Sequence, residues 1–246
     1  MSIKRIQTSG QLTLKSTLLA RIAKNKRVVH IGCVDDNLEM IAHKKKNNFY
    51  LHDILTNTAT ECLGIDMNAA LVEELRKIYG TDNIAIADIQ QIKNIYMDGF
   101  SKDDLLVKLK TFDTVILPDI IEHLDNPGLM LENIKQYFNP KARIYICTPN
   151  PFFISNFVLT LFNREIYSPF HTMNFTTENM AVLLGRYGIR ITATYPCYVP
   201  KLRALPIRIA DWILLHFFCL ISKGFSENFL YECVIDNTVN VSRIQK

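Results

Sequence analysis

The chain has 246 residues, of which 48% are hydrophobic and 21% charged, and its formal net charge is +4. This length and composition suit one domain, residues 1–246, with a full-sized apolar core, and no break in composition divides the chain in two. The small positive charge does not indicate a nucleic-acid partner, although it is compatible with an anionic small molecule or a membrane surface.

Short β-branched segments that read as buried strands alternate along the chain with longer segments of helical periodicity. The predicted strands are 27–31, 62–65, 83–87, 112–117, 142–147, 189–195 and 229–235. The clearest helices are predicted over 68–79 and 129–138. This alternation predicts an α/β fold, with a mostly parallel seven-stranded sheet covered by helices on both faces.

Six cysteines are spread along the chain without a CxxC pair. This spacing favours buried, reduced thiols over disulfides or a zinc site. The N-terminal segment contains charged residues and no continuous apolar stretch of the kind that a secretory signal has. We therefore expect the protein in the cytoplasm.

Acidic residues follow three successive predicted strands, namely Asp66, Asp88 and Asp119. Ligands of open parallel sheets bind outside the carboxyl ends of the strands. An acid after the second strand is placed to bind ribose hydroxyls, and one after the third can accept a hydrogen bond from an exocyclic amine. Each acid alone could be an ordinary helix cap, but the three together favour a nucleoside site.

The order of the motifs resembles the class I S-adenosylmethionine (SAM)-dependent methyltransferases. The matching motifs are VVHIGC at 28–33, GID at 64–66, AD at 87–88, the segment 112–151 and HTMNF at 171–175. Within this superfamily the chain is most similar to a bacterial group whose first motif reads HIGCVD and which is associated with surface-polysaccharide biosynthesis. The resemblance implies the Rossmann-like methyltransferase fold and SAM as methyl donor.

The resemblance also implies contacts to SAM from the loops that follow the first four strands. Gly32 would allow close approach to the methionine part, Asp66 would bind the ribose hydroxyls, and Asp88 would hold the adenine edge. The full set of expected cofactor contacts is His30, Gly32, Cys33, Asp66, Met67, Asp88, Ile89, Asp119 and Ile120.

The first motif departs from the common DxGxGxG pattern, because His30 replaces the acid and Val34 and Asp36 replace the later glycines. A nicotinamide-dependent oxidoreductase would need a glycine-rich phosphate loop there, and Asp35 and Asp36 would repel its pyrophosphate. The positive charges of SAM suit this loop better. A catalytically silent relative, acting as a binding or scaffold subunit, remains the alternative.

Candidates for chemistry lie after the fourth strand and before the sixth. Methyl transfer requires an aligned acceptor and, for a hydroxyl, a group that removes its proton. Asp119, His123 and His171 are the candidate catalytic residues. If the turn after the fourth strand is helical, the spacing of Asp119, Glu122 and His123 places them on one helical face, where together with His171 they could bind Mg²⁺ or Mn²⁺. The alternative is that Glu122 and His123 cap the helix and pack beneath SAM.

Aromatic residues with a few polar groups follow the fifth strand, over 149–175. Such a wall suits a sugar ring or another small amphipathic acceptor. We therefore expect methylation at oxygen of a small-molecule or glycan acceptor.

An apolar segment with cationic flanks covers 201–223. Its basic residues are Lys201, Arg203, Arg208 and Lys223. The apolar part, interrupted by Asp211 and His216, is shorter than the roughly 20 residues of a membrane-spanning helix. We expect a lid or an interfacial helix on the inner face of the membrane, with a packed helix pair or a homodimer interface as the alternative.

Overall fold

The computed structural model describes residues 8–164, 168–200 and 205–236. Its strands are β1 (Thr13–Leu14), β2 (Arg27–Ile31), β3 (Glu61–Asp66), β4 (Ile84–Ile86), β5 (Thr114–Pro118), β6 (Arg143–Pro149), β7 (Ile189–Tyr198) and β8 (Asn228–Ile235). Its helices are α1 (Lys15–Ala23), α2 (Leu38–Lys46), α3 (Leu51–Thr58), α4 (Ala69–Tyr79), α5 (Lys102–Leu109), α6 (Pro127–Tyr137), α7 (Ile154–Thr160), α8 (Thr177–Arg186) and α9 (Leu205–Ile221).

The strands form one sheet in the order β1-β7-β8-β6-β5-β2-β3-β4. The pairs β2–β3, β2–β5, β3–β4, β5–β6 and β1–β7 are parallel, whereas β8 runs antiparallel to both β6 and β7. Because β5 neighbours β2 rather than β4, the strand order reverses beside β2. The loops after β2 and β5 therefore flank the crevice in which ligands of such sheets bind.

The sheet has eight strands within the described residues, so the predicted number of seven is wrong. All seven predicted strands are present, and the additional one is β1. It has two residues, Thr13 and Leu14, which pair with Cys197 and Tyr198 of β7. A strand this short has no periodicity to recognise in a sequence.

Both faces of the sheet are covered by helices, as predicted. Neighbouring residues of a strand point to opposite faces, and Val28 and Val29 of β2 illustrate the division. Val29 belongs to the core that α5, α6 and α8 complete, whereas Val28 packs against α1 and α3. Both side chains are fully buried.

The two clearest predicted helices are present, with shifted limits. The side chain of Asn68 caps α4 by accepting from the Leu71 amide, and α6 starts two residues earlier than predicted, at Pro127. Proline suits a first helical position because that position needs no amide donor. Near the end of α4 the side chain of Ile78 is exposed.

All six cysteines are unbridged and buried, in agreement with the predicted reduced thiols. Among the described residues, no helix combines the length and the hydropathy that crossing a bilayer requires. Lys201 and Arg203, predicted to flank the apolar segment, lie outside the described residues. Because the chain also extends beyond them at both ends, the single domain over 1–246 stays a prediction.

Candidate cofactor and acceptor site

The loops after β2 and β5 touch at Gly32. Its φ is +70°, a left-handed conformation that glycine adopts without strain. A Cβ at this position would lie 1.9 Å from Cδ1 of Ile120, and the Gly32 amide donates to the Ile65 carbonyl at 2.8 Å. Both the backbone conformation and the lack of space for a Cβ therefore favour glycine at this position. Two of the expected cofactor-contact residues, Gly32 and Ile120, lie side by side.

Asp66 ends β3 and joins two loops through its carboxylate. One oxygen accepts from the Val34 amide at 2.9 Å and the other from the Asn68 amide at 3.0 Å. Burial raises the pKa of this carboxyl, and the two amide donors oppose the rise. Each oxygen keeps a second lone pair, so the group can still accept from a ribose hydroxyl. Beside it, Met67 is 69% exposed and offers an apolar surface to a base.

Asp88 and Ile89 follow β4 and differ in their surroundings. Asp88 is half-buried and accepts from the Gln90 amide at 2.8 Å. Ile89 packs its side chain into the core, and its carbonyl accepts from the Asn133 side chain at 2.8 Å. A contact from Ile89 to a ligand would therefore have to use its amide.

His30 and Cys33 point their side chains into the interior. His30 Nδ1 lies 3.2 Å from His52 Nδ1, and its Nε2 has no hydrogen-bond partner among the described residues. Burial lowers the pKa of both histidines, so the pair is neutral. The Cys33 side chain packs against α2 and α4, and the Cys33 carbonyl accepts from the Tyr50 hydroxyl at 2.7 Å. Cofactor contacts from these two residues stay predictions and would have to come from the backbone.

Asp119, directly after β5, has a φ of +53°, which is strained for a residue with a side chain. Its carboxylate forms an ion pair with Lys15 of α1 and accepts from the Asn228 side chain at 3.3 Å. The Lys15 side chain is only 12% exposed. Burial is the largest single influence and works against its charge, but the charge and hydrogen bond of Asp119, together with the neighbouring Cys147 and Cys197, give a net rise in the pKa of Lys15. Both oxygens of the Asp119 carboxylate are therefore engaged within the protein, by Lys15 and Asn228.

Lys15 is a site residue that the sequence interpretation missed. It precedes the first predicted strand and belongs to no motif. One signal was available: Lys15 stands at the head of the apolar stripe of α1, three to eight residues before Leu18, Leu19, Ile22 and Ala23. A lysine on the buried side of a helix needs an anionic partner, and such a partner is a candidate site residue.

The prediction that Asp119, Glu122 and His123 share one helical face is wrong. Residues Ile121–His123 form a single 3₁₀ turn, and Asp119 itself is left-handed. The spacing i, i+3, i+4 aligns side chains only within an α-helix. The structure instead brings Glu122, His123 and His171 together, with one ligand atom of each within 4.8 Å of the others, and Asp119 lies outside this group.

Glu122 is the buried member of this group. One of its oxygens accepts from the Thr148 hydroxyl at 3.1 Å, and the other has no partner among the described residues. Burial and the neighbouring Asp119 charge raise the pKa of Glu122 to about 8. The carboxyl is therefore mostly protonated at neutral pH and can donate a hydrogen bond.

The two histidines of the group form an edge-to-face pair, with ring centroids 4.7 Å apart. His123 Nδ1 lies 3.1 Å from the Phe170 carbonyl oxygen. A carbonyl oxygen can only accept, so Nδ1 is the donor of this hydrogen bond. Burial and the charge of His123 lower the pKa of His171. Thr172 fixes this segment, since its amide donates to the Glu122 carbonyl at 2.8 Å.

Comparisons with known proteins show the family of the chain. A family model described as "Methyltransferase domain" matches residues 7–194. No curated protein matches in sequence.

Three similar solved structures have TM-scores of 0.50 or 0.51. A putative type 11 methyltransferase from Sulfolobus solfataricus is 13% identical, with a TM-score of 0.51 and 93% of this chain and 95% of that chain covered. A SAM-dependent methyltransferase from Aquifex aeolicus is 14% identical, with a TM-score of 0.51 and 90% of each chain covered. An S-adenosylmethionine-dependent methyltransferase from Mesorhizobium loti is 12% identical, with a TM-score of 0.50 and 88% of this chain and 95% of that chain covered. At these identities the similarity shows the Rossmann-like methyltransferase fold.

Replacing Lys15 tests the ion pair. We expect Lys15→Met to lower the free energy of unfolding by about 2 kcal/mol, because Asp119 is left partly buried without its cation. Urea denaturation measures the change. The matched control is Lys24→Met, which removes an exposed lysine just after the same helix and should cost less than about 0.5 kcal/mol. Equal stability of the two variants would contradict the role given to Lys15.

Proposed function

The chain belongs to the methyltransferase-domain family, and from this premise we propose that it transfers the methyl group of SAM to a hydroxyl oxygen of a small-molecule or glycan acceptor. The observation that carries the proposal is the pair of histidines, His123 and His171, beside the carboxyl end of β5. A hydroxyl acceptor must lose a proton, and neutral imidazoles accept protons near neutral pH. The resemblance to the HIGCVD group further supports an acceptor from surface-polysaccharide biosynthesis.

The residues present fit SAM. Gly32 and Ile120 would line the methionine part, Asp66 would bind the ribose hydroxyls, and Met67 and Asp88 would hold the adenine. Bound SAM supplies a methyl group that its sulfonium has already activated for displacement. The remaining task of the protein is to align the acceptor and to take its proton.

His123 and His171 divide this task in the proposed mechanism. Nε2 of His123 is free to accept because its Nδ1 is committed to the Phe170 carbonyl. The lowered pKa of His171 keeps that ring neutral at pH 7, so it too can receive the proton or orient the hydroxyl. The protonated carboxyl of Glu122 would donate to the same acceptor or to a water. Asp119, already paired with Lys15, would form the floor of the site rather than act as the base.

Isothermal titration with SAM and with S-adenosylhomocysteine decides between this enzyme and the silent scaffold. We expect both to bind. A screen of hexopyranosides and small phenols for S-adenosylhomocysteine release then tests the acceptor class. If neither SAM nor S-adenosylhomocysteine binds, the scaffold alternative is favoured.

Asp66 is the first residue to replace. We expect Asp66→Ala to weaken SAM binding about tenfold to a hundredfold, because a charged hydrogen-bond acceptor for the ribose is lost. Titration calorimetry gives the affinity, and circular dichroism checks the fold, since Asp66 also holds the Val34 amide. Asp82→Ala, which removes an exposed acid after α4, is the control. Unchanged affinity in Asp66→Ala would remove this residue from the site.

His171 tests the acceptor side. We expect His171→Ala to lower kcat by about a hundredfold or more while the SAM dissociation constant stays within a factor of about two, because the ring acts after the cofactor is bound. The best acceptor of the screen serves as substrate, and His43→Ala, an exposed histidine of α2, is the control. Loss of SAM affinity with normal turnover of the bound complex would place His171 in the cofactor pocket instead.

A divalent cation is the second candidate for the group of Glu122, His123 and His171. Two imidazoles and one carboxylate with ligand atoms within 4.8 Å are a suitable set for Mn²⁺, and less so for Mg²⁺. For this candidate the expected result is that EDTA abolishes turnover and Mn²⁺ restores it, and that Glu122→Gln weakens Mn²⁺ binding in electron paramagnetic resonance titrations. Full activity in EDTA would exclude a metal ion from the reaction. The three side chains would then serve proton transfer and acceptor alignment only.

A further inference from the structure

The outer side of α9 is an exposed apolar surface. Its large apolar side chains are between 51% and 82% exposed. They are Ile209, Trp212, Ile213, Phe217, Leu220 and Ile221. On the opposite side of the same helix, Leu215 and Cys219 are buried against Phe153 and Ile154. A helix that is apolar on both sides is expected inside a core or against another apolar phase, not facing water.

The neighbouring helix α7 extends this surface. It packs against α9, and Phe157, Leu161 and Phe162, on α7 and the turn after it, are exposed. We call the exposed side chains of the two helices the α7–α9 face. A continuous apolar area of this kind marks an interaction site, since monomeric soluble proteins rarely expose a large contiguous apolar patch.

The sequence segment that contains α9 is rich in positive charge. The segment 201–223 contains four basic residues and one acidic residue, so three of the four net positive charges of the chain fall within it. The acidic residue, Asp211, is half-buried and engaged in an interaction within the protein. Cations beside an apolar surface are complementary to an anionic lipid bilayer, which offers phosphates at its surface and acyl chains beneath.

The face suits lipid better than a second copy of the chain. Protein interfaces carry about one hydrogen bond per 100–200 Å² and a polar rim, and the exposed side chains named above offer only the indole N–H of Trp212 for such bonds. Two copies meeting here would also bring together two segments of the same net positive charge, and like charges repel. Acyl chains need no directional partner, and Trp212 is the type of residue that accumulates at bilayer surfaces.

We propose that the α7–α9 face docks the protein on an anionic lipid surface. With 17 residues, α9 is about 25 Å long and would lie in the plane of the headgroups, its outer side chains reaching the acyl chains. Because α7 begins five residues after β6 ends, docking would hold the acceptor side of the sheet close to the bilayer. This proposal goes beyond methyl transfer and does not depend on the identity of the acceptor.

Vesicle flotation of the full chain tests the proposal. We expect the protein to float with vesicles of phosphatidylglycerol and phosphatidylcholine in equal parts, to bind vesicles of phosphatidylcholine alone more weakly, and to be released in part by high salt. The double variant F217S/L220S should bind the anionic vesicles about tenfold less tightly, because both side chains leave the acyl phase. Neither residue belongs to the candidate site.

The matched control is I78S/V107S, which removes two exposed apolar residues of α4 and α5, away from the α7–α9 face. It should float like the wild type, and both double variants should bind SAM with wild-type affinity, so that failure of docking is distinguished from failure of the cofactor site. Absence of flotation for the wild type, or equal loss in the two variants, would overturn the proposal. A dimer in analytical ultracentrifugation that F217S/L220S dissociates, without vesicle binding, would assign the face to a second copy.

Discussion

Lys15 carries an ammonium group to a largely buried position, and the carboxylate of Asp119 allows it to stay charged there. A buried cation without a counter-ion would be costly, so α1 is tied to the end of β5. Asn228, at the start of β8, donates to the same carboxylate. Residues separated by more than a hundred positions in sequence thus meet at one side chain, and the left-handed conformation of Asp119 is held by both partners.

This ion pair also shapes the electrostatics of the acceptor side. Burial and the Asp119 charge raise the pKa of Glu122, and the nearby ammonium of Lys15 works in the opposite direction. A mostly protonated carboxyl therefore lies beside the imidazoles of His123 and His171 on one side of β5. On the other side, the loops after β3 and β4 present the carboxylates of Asp66 and Asp88. One edge of the sheet therefore combines two carboxylates, suited to a nucleoside with a positively charged centre, with two imidazoles and a protonated carboxyl suited to proton transfer.

The sequence was sufficient for features that depend on periodicity and on strand ends. Asp66 and Asp88 were found because buried strands are recognisable and their carboxyl ends converge. Contacts between distant segments carry no local pattern, and for this reason the pairing of His30 with His52 and that of Lys15 with Asp119 were not predicted. The turn at Asp119 was misjudged because a residue after a strand can either begin a helix or reverse the chain, and only the packing around it decides. An interfacial helix over 201–223 was among the expectations, but the apolar sequence did not reveal which of its side chains the fold leaves uncovered.

The position of β8 affects the order in which the protein can assemble. It is the last strand along the described chain, yet it lies between β6 and β7 and pairs with both. While the polypeptide is still emerging from the ribosome, β7 has no neighbour that joins it to the rest of the sheet, and β6 presents an unpaired edge. Such open edges are templates for pairing with other chains. Asn228 is the first residue of β8. Its hydrogen bond to the Asp119 carboxylate therefore cannot form before synthesis has reached this last strand.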